Sequence, residues 1–383
     1  MNILNFLRRL KFSPEPPHQP QEISKSLRIK YLRQIITKDS RSSRTIMFNA
    51  ENELKNARLE YFLIGEDAAN FADVTANFFE PEFIYACTLE NLKPASLYKF
   101  RVVADDCATD WQNLRTAGNG EFEMLIFSDS QCLDYGVWKN TADIAAKNFP
   151  DAELFLVNGD LVDTGQDFNQ WRDWYNSAAE LLRERILAPV IGNHECYDTN
   201  WMPCAPTAYL NNFKLPSNGI KDFGGYFYAF DYGAANFFVL NTQFMELEKI
   251  KSSLPGIQEY WFKRAVANAN RRWKIVFMHK AIYNRQLTDF VEEAKDYFMR
   301  LFDELEIDLV FTGHLHTYHN KGHIYAQKKS RTGPFYILCG RAGDQNYTGE
   351  PNSYIDLKIR AGDLTLTCQS VDGKILDNFT LKK

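Results

Sequence analysis

No stretch of the 383 residues approaches the roughly 20 consecutive apolar residues of a membrane-spanning helix. Nor is there an excess of basic charge. The 44 Lys and Arg stand against 49 Asp and Glu, a net charge of −5. That balance argues against a protein that works by neutralising nucleic acid or anionic lipid. It leaves room for a small anionic substrate, because a bound metal supplies positive charge locally. The seven cysteines are Cys87, Cys107, Cys132, Cys196, Cys204, Cys339 and Cys368. Their number is odd, their spacing is irregular and there is no C-x-x-C, so neither a disulfide framework nor a zinc knuckle is indicated. A reducing compartment is the simpler reading, although Cys196 and Cys204 are close enough in sequence to pair in an exported protein. A secretory signal is not recognised either: the apolar residues precede Arg8, Arg9 and Lys11, and Pro14, Pro16, Pro17 and Pro20 follow. Residues 1–24 read as a flexible or surface-docked tail, and a cytoplasmic location is expected. There are no internal repeats.

What is present is ample material for real cores, with 45% hydrophobic and 14% aromatic residues. At roughly 100–200 residues per domain the length suits two or three domains. Residues 25–118 read as all-β, with short aromatic and β-branched runs at Thr45–Asn49, Leu59–Ile64, Phe83–Leu89 and Lys99–Ala104. Leu92-Lys93-Pro94-Ala95-Ser96-Leu97-Tyr98 resembles the tyrosine corner of fibronectin type III sandwiches, in which the phenol hydrogen-bonds backbone a few residues upstream. After Gly118-Asn119-Gly120 the pattern changes to strand–helix alternation, the mark of an α/β domain over 119–383. Helices are predicted near 137–148, 168–185, 257–269 and 289–305. A hairpin is predicted around Tyr232-Gly233, and two more near Gly362 and Gly373.

Chemistry collects at the carboxyl ends of five apolar strands. Phe122–Phe127 runs into Ser128-Asp129-Ser130-Gln131, and Leu154–Asn158 into Gly159-Asp160-Leu161-Val162-Asp163. Pro189–Ile191 runs into Gly192-Asn193-His194-Glu195, Lys274–Met278 into His279, and Leu309–Thr312 into Gly313-His314-Leu315-His316. Four of only seven histidines fall on these ends, where open α/β sheets bind ligands. Singly, each residue has a plainer reading: Asp129 or Asp163 as a helix N-cap, Asn193 as a turn residue, His279 as a core histidine. As an ordered set, carboxylate, amide and imidazole suit zinc, iron or manganese. A strand-end Asp suits the bridge between two ions ~3.5–4 Å apart. Gly159, Gly192 and Gly313 would let the backbone turn sharply beside them.

The ordered motifs Asp129…Gly159-Asp160-x-x-Asp163…Gly192-Asn193-His194-Glu195…His279…Gly313-His314-x-His316 resemble those of the calcineurin-like metallophosphoesterases. The fibronectin-like module before them resembles that of the purple acid phosphatase branch. The resemblance implies a four-layer α-β-β-α sandwich preceded by an all-β sandwich. It also implies a dinuclear hydrolase of phosphate esters, monoesters in the first place, in which a metal-bound hydroxide attacks phosphorus in line. Carried over residue by residue, Asp129 and His316 bind the first metal, Asn193, His279 and His314 bind the second, and Asp160 bridges them. His194 faces the substrate and serves the leaving oxygen. The cofactors implied are two divalent or trivalent ions, Fe, Mn or Zn; the partner implied is a small phosphorylated substrate, with no nucleic acid.

The sequence departs from the family at the first metal. Position 131 is Gln where most of the superfamily has Asp-x-His, and position 163 is Asp where purple acid phosphatases have the iron-binding Tyr. Gln131 is one candidate to complete that site. Asp163 either binds there or orients His194 from behind. A weaker first metal and no stable iron(III)–tyrosinate pair are therefore expected. Arg341 follows another strand and is a candidate phosphate clamp. Glu195 and Tyr283 are placed near the site without a role; His319 and His323 lie just past the last motif, over the mouth or on the surface. The runner-up readings are a phosphodiesterase with the same core and a binding module whose hydrolase domain is inactive.

Overall fold

Strands that are apolar at every position can be buried on both faces, and the central strands follow that rule. Within Phe122–Phe127, Met124 and Ile126 join one hydrophobic core while Leu125 and Phe127 join another. The computed structural model behind these contacts describes residues 29–383 except Asp67, Asp106, 284–291 and 344–348. The expected tail at 1–24 and the start of the helix expected near 289 lie outside the described residues.

Two sheets face each other across the inner core. The seven-stranded sheet runs Tyr228–Tyr232, Ala235–Leu240, Trp273–Met278, Leu309–Thr312, Phe335–Leu338, His319–Tyr325 and Lys328–Lys329. The ten-stranded sheet has Phe122–Phe127, Leu154–Val157 and Ile186–Pro189 parallel at its centre, with the C-terminal meander Ser353–Ile359, Asp363–Ser370 and Ile375–Lys382 beside Phe122–Phe127. Between them lie Met124, Ile126, Leu156, Phe230, Phe237, Phe277 and Phe311, among others. Helices cover the outer faces. Trp138 of Tyr135–Asn148 packs edge-on against Phe127. Phe262 of Leu254–Ala267 packs against both Phe238 and Phe302, the latter on Glu292–Glu304. The layering is α-β-β-α. The single helix expected over 168–185 is two, Phe168–Ser177 and Ala179–Glu184, with Ala178 out of helical geometry between them. The strand expected at 189–191 ends earlier, at Ile186–Pro189.

The strands between 29 and 115 form a β-sandwich. Arg44–Ala50 pairs with Ile29–Ile35 and Glu82–Leu89, while Arg58–Leu63 pairs with Asn70–Asp73 and Leu97–Ala104. Phe48, Tyr85, Phe100, Val102 and Leu114 fill the space between the two sheets. The Tyr98 hydroxyl accepts from the Lys93 backbone N–H at 2.8 Å, the tyrosine-corner bond. This sandwich is not strung on a linker. Ile29–Ile35 pairs in parallel with Ile186–Pro189, Gln34 opposite Ile186, so the sheet runs unbroken from the sandwich into the α/β part. Buried Arg33 reinforces the junction by donating to the Asn212 carbonyl at 3.0 and 3.2 Å and to Asn49 Oδ1 at 2.9 Å. Among the described residues, no helix is long and apolar enough to cross a membrane.

Candidate metal centre

The parallel strands Phe122–Phe127, Leu154–Val157 and Ile186–Pro189 of the large sheet and the four parallel strands of the small one point their carboxyl ends to the same edge, so the loops after them meet. Several residues in these loops hold left-handed backbone: Asp129 (φ 51°), Asp160 (53°), His314 (72°) and His316 (55°). Such a conformation costs a non-glycine residue about 1–2 kcal/mol, and strain of this kind gathers at functional sites. The loops also interlock. The Asp129 N–H donates to the Gly159 carbonyl at 3.1 Å and the Gln131 N–H to the Asp160 carbonyl at 3.0 Å. Gly159 makes the sharp turn expected of it (φ 87°). Gly192 serves by closeness instead: a Cβ there would fall 2.0 Å from Asp160 Oδ1.

The geometry gathers two sets of ligand atoms. Asp160, His279 and His314 have theirs within 4.8 Å of one another, and so do Asp129, Asp160 and His316. Asp160 belongs to both. Its Oδ2 lies 2.9 Å from His279 Nε2, and its Oδ1 accepts from the His194 N–H at 3.0 Å. Asn193 Oδ1 is 3.2 Å from His279 Nε2. Asp129 Oδ1 is 3.4 Å from His316 Nε2 and accepts from the His314 N–H at 3.0 Å. His279 Nδ1–H donates to the Asn158 carbonyl at 2.8 Å, which leaves Nε2 for a ligand. His194 sits beside the pair. Its Nδ1–H donates to the Asp163 carbonyl at 2.6 Å, and its Nε2 stands 3.8 Å from Asp160 Oδ2.

This donor set fits a cation. Asp129 and Asp160 are fully buried, and among the described residues their ion-pair partners are histidines alone. Two buried carboxylates without a positive partner are costly. The nearby histidines offset that charge in part. Burial disfavours the charged His279, but Asp160 and Asp129 outweigh it and push the imidazole up to about 9. His314 goes the other way: burial and the neighbouring His279 bring it down to about 4, so it is a neutral ligand at physiological pH. Among the described residues, the buried Oε1 of Gln131 has no hydrogen-bond partner. The other end of its amide is 3.3 Å from His316 Nε2 and 3.5 Å from Asp160 Oδ2, so Gln131 faces the Asp129–Asp160–His316 set. Asp163 lies on the other side of His194, its Oδ1 3.6 Å from His194 Nδ1.

The remaining candidates differ in placement. Arg341 is buried and donates to Asn352 Oδ1 at 3.3 Å and the Glu350 carbonyl at 2.8 Å, tying down the segment around 350. Tyr283 is in the core, edge-on to Tyr336. His319 and His323 lie on the strand His319–Tyr325, where His323 Nδ1–H donates to the Gly333 carbonyl. Glu195 has a role that the sequence did not reveal. Fully buried, its carboxylate accepts from the backbone N–H groups of Gly192 (2.7 Å), Leu161 (2.8 Å), Asp160 (3.0 Å) and Val162 (3.4 Å). It staples the loop carrying Asp160 to the loop carrying Asn193. Burial, with the charge of Asp160, raises its pKa to about 7.

Comparison with known proteins matches residues 122–318 to the calcineurin-like phosphoesterase family. The chain belongs to that family. An uncharacterized protein of Mycobacterium tuberculosis is 28% identical over 260 residues, 60% of this chain and 49% of that protein. The probable purple acid phosphatase 20 of Arabidopsis thaliana is 25% identical over 274 residues, 69% of this chain and 61% of that protein. The chain thus spans about half to three fifths of the length of these curated relatives. Among solved structures, the purple acid phosphatase PPD1 from yellow lupin seeds superposes with a TM-score of 0.80 at 16% identity, covering 92% of this chain and 74% of that one. PhoD superposes with a TM-score of 0.67 at 12% identity, covering 94% and 92%. These two likenesses concern the calcineurin-like fold and the sandwich before it.

Proposed function

We propose that this calcineurin-like protein is a dinuclear metal-dependent hydrolase of phosphate esters, acting first on monoesters. The observation that carries the reading is Asp160, one buried carboxylate common to two sets of ligand atoms. Asp129 and His316 would hold the first ion, Asn193, His279 and His314 the second, and Asp160 would serve both. Two cations held there would supply a water activated at neutral pH and would draw charge off the phosphoryl oxygens. The chain's own residues do the rest. Asn158 and Glu195 fix the orientation of His279 and of the two loops. The Asp163 carbonyl holds the His194 ring by Nδ1–H, so that Nε2 is the nitrogen presented to the ester oxygen; in the imidazolium, with both nitrogens protonated, Nε2–H gives its proton to that oxygen and the neutral Nδ1–H ring remains. The test is a panel of phosphate monoesters and diesters assayed with added manganese, zinc or iron. Monoester turnover that depends on the metal supports the reading; activity unaffected by metal removal contradicts it.

Gln131 sets the inequality between the two ions. A neutral amide binds a transition ion less firmly than an imidazole, so stepwise chelation is expected to empty the Asp129–His316 site first, with activity falling at that step. Gln131→His is expected to tighten that site. Metal content followed during chelation checks both. Simultaneous loss of the two ions, or unchanged first-site affinity in Gln131→His, would make Asp163 the better ligand.

A further inference from the structure

Next to His194 stands a tryptophan that the chain holds half out in solvent. The Trp201 indole and the His194 imidazole meet in a T-shaped contact with ring centroids 5.4 Å apart; the indole also neighbours Tyr197 at 5.6 Å and remains 51% exposed. Its backbone is left-handed (φ 59°), a conformation that a bulky side chain adopts only when the surroundings impose it. Asp198 imposes it. One carboxylate oxygen accepts from the N–H groups of Asn200 at 2.8 Å and Met202 at 2.9 Å, and the Asp198 carbonyl accepts from the Trp201 N–H at 3.0 Å. A Tyr197–Pro203 bridge closes the neck of the loop. Tyr197 is braced in turn by Glu246, which is paired with buried Lys280 at 2.9 and 3.0 Å. Single exposed apolar residues are ordinary; this one is pinned, and it is not alone. Of the ten large exposed hydrophobics among the described residues, Leu133, Trp201 and Met202 lie on segments that follow strands ending at the metal centre.

We infer that Trp201 is a stacking platform for the leaving group and that the preferred substrates are phosphate monoesters of phenols. The inference rests on the phosphoesterase reading given above, in which His194 faces the ester oxygen. A ring bonded directly to that oxygen lies within one ring's width of it, against the solvent-exposed part of the indole. A ring held at the far side of a sugar or an alkyl chain is carried past Trp201. Stacking adds attraction beyond area burial, and it binds the aryl group in a fixed orientation relative to the His194 Nε2 proton.

The experiment compares the manganese-loaded full chain with its Trp201→Ala and Trp201→Phe variants. Two ratios are measured: kcat/KM for phenyl phosphate over glycerol 2-phosphate, and affinity for phenylphosphonate over methylphosphonate. Because an aryl ester is intrinsically the more reactive, each ratio is compared between proteins and not between substrates. Both ratios are expected to fall about threefold to tenfold in Trp201→Ala, the size of an aromatic pair contact, and to be largely kept in Trp201→Phe. Equal ratios in all three proteins, with both esters turned over, would overturn the platform and leave the phosphoesterase standing. A wild type that hydrolyses neither ester yet selects phenylphosphonate through Trp201 would overturn the phosphoesterase and leave the platform.

Discussion

Asp160→Asn is expected to lose both ions together and to lower phosphate-ester turnover by more than the about 10²–10³-fold that follows removal of one electrostatic stabiliser. The amide keeps the shape of the side chain and an oxygen to accept from the His194 N–H, so the loop is kept. What disappears is the one negative charge that the two ligand sets share. Metal analysis of the purified variant, alongside kcat, checks the expectation. One ion retained at full occupancy would mean that Asp160 serves a single site.

His194→Ala is expected to behave in the opposite way, keeping both ions while kcat falls about 10²–10⁴-fold, the contribution of a positioned general acid. The side chain is partly open to solvent, its Nδ1 is engaged by the Asp163 carbonyl, and its Nε2 is not within bonding distance of Asp160. Unchanged kcat would remove His194 from the reaction. Lost metal would instead move it into the ligand set, which the 3.8 Å separation from Asp160 Oδ2 makes the outcome to watch.

That these side chains would gather was readable in the sequence because each lies within a few residues of the end of an apolar strand, and strand ends in an α/β sheet converge. Gln131 and Asp163 were not separable there. Both follow a strand by a few residues, and only the folded loops place one against His316 and the other behind His194. Glu195 was hidden for a related reason. Three of its four backbone donors, at Asp160, Leu161 and Val162, come from a loop more than thirty residues earlier, and a carboxylate that binds main chain leaves no side-chain pattern. The sandwich was legible from its strand lengths and from Tyr98, but its fusion to the α/β sheet was not. The parallel pairing of Ile29–Ile35 with Ile186–Pro189 joins segments about 150 residues apart. The run read at Thr45–Asn49 is the strand Arg44–Ala50, every residue of which is buried. The break at Ala178 carries no glycine or proline, and the residue's N–H still bonds to the Trp174 carbonyl. Trp171 and Trp174 before the break and Leu181 and Leu182 after it are buried in the same core.

The measurement closest to the central claim is a titration of metal-stripped protein with manganese or zinc, following bound metal per chain and hydrolysis of phenyl phosphate together. The proposed centre predicts close to two ions per chain at saturation, with turnover rising mainly on the second equivalent, since a single ion cannot clamp both the attacking and the leaving oxygen. Saturation near zero ions per chain with no turnover would contradict it and mark the domain as an inactive hydrolase serving as a binding module.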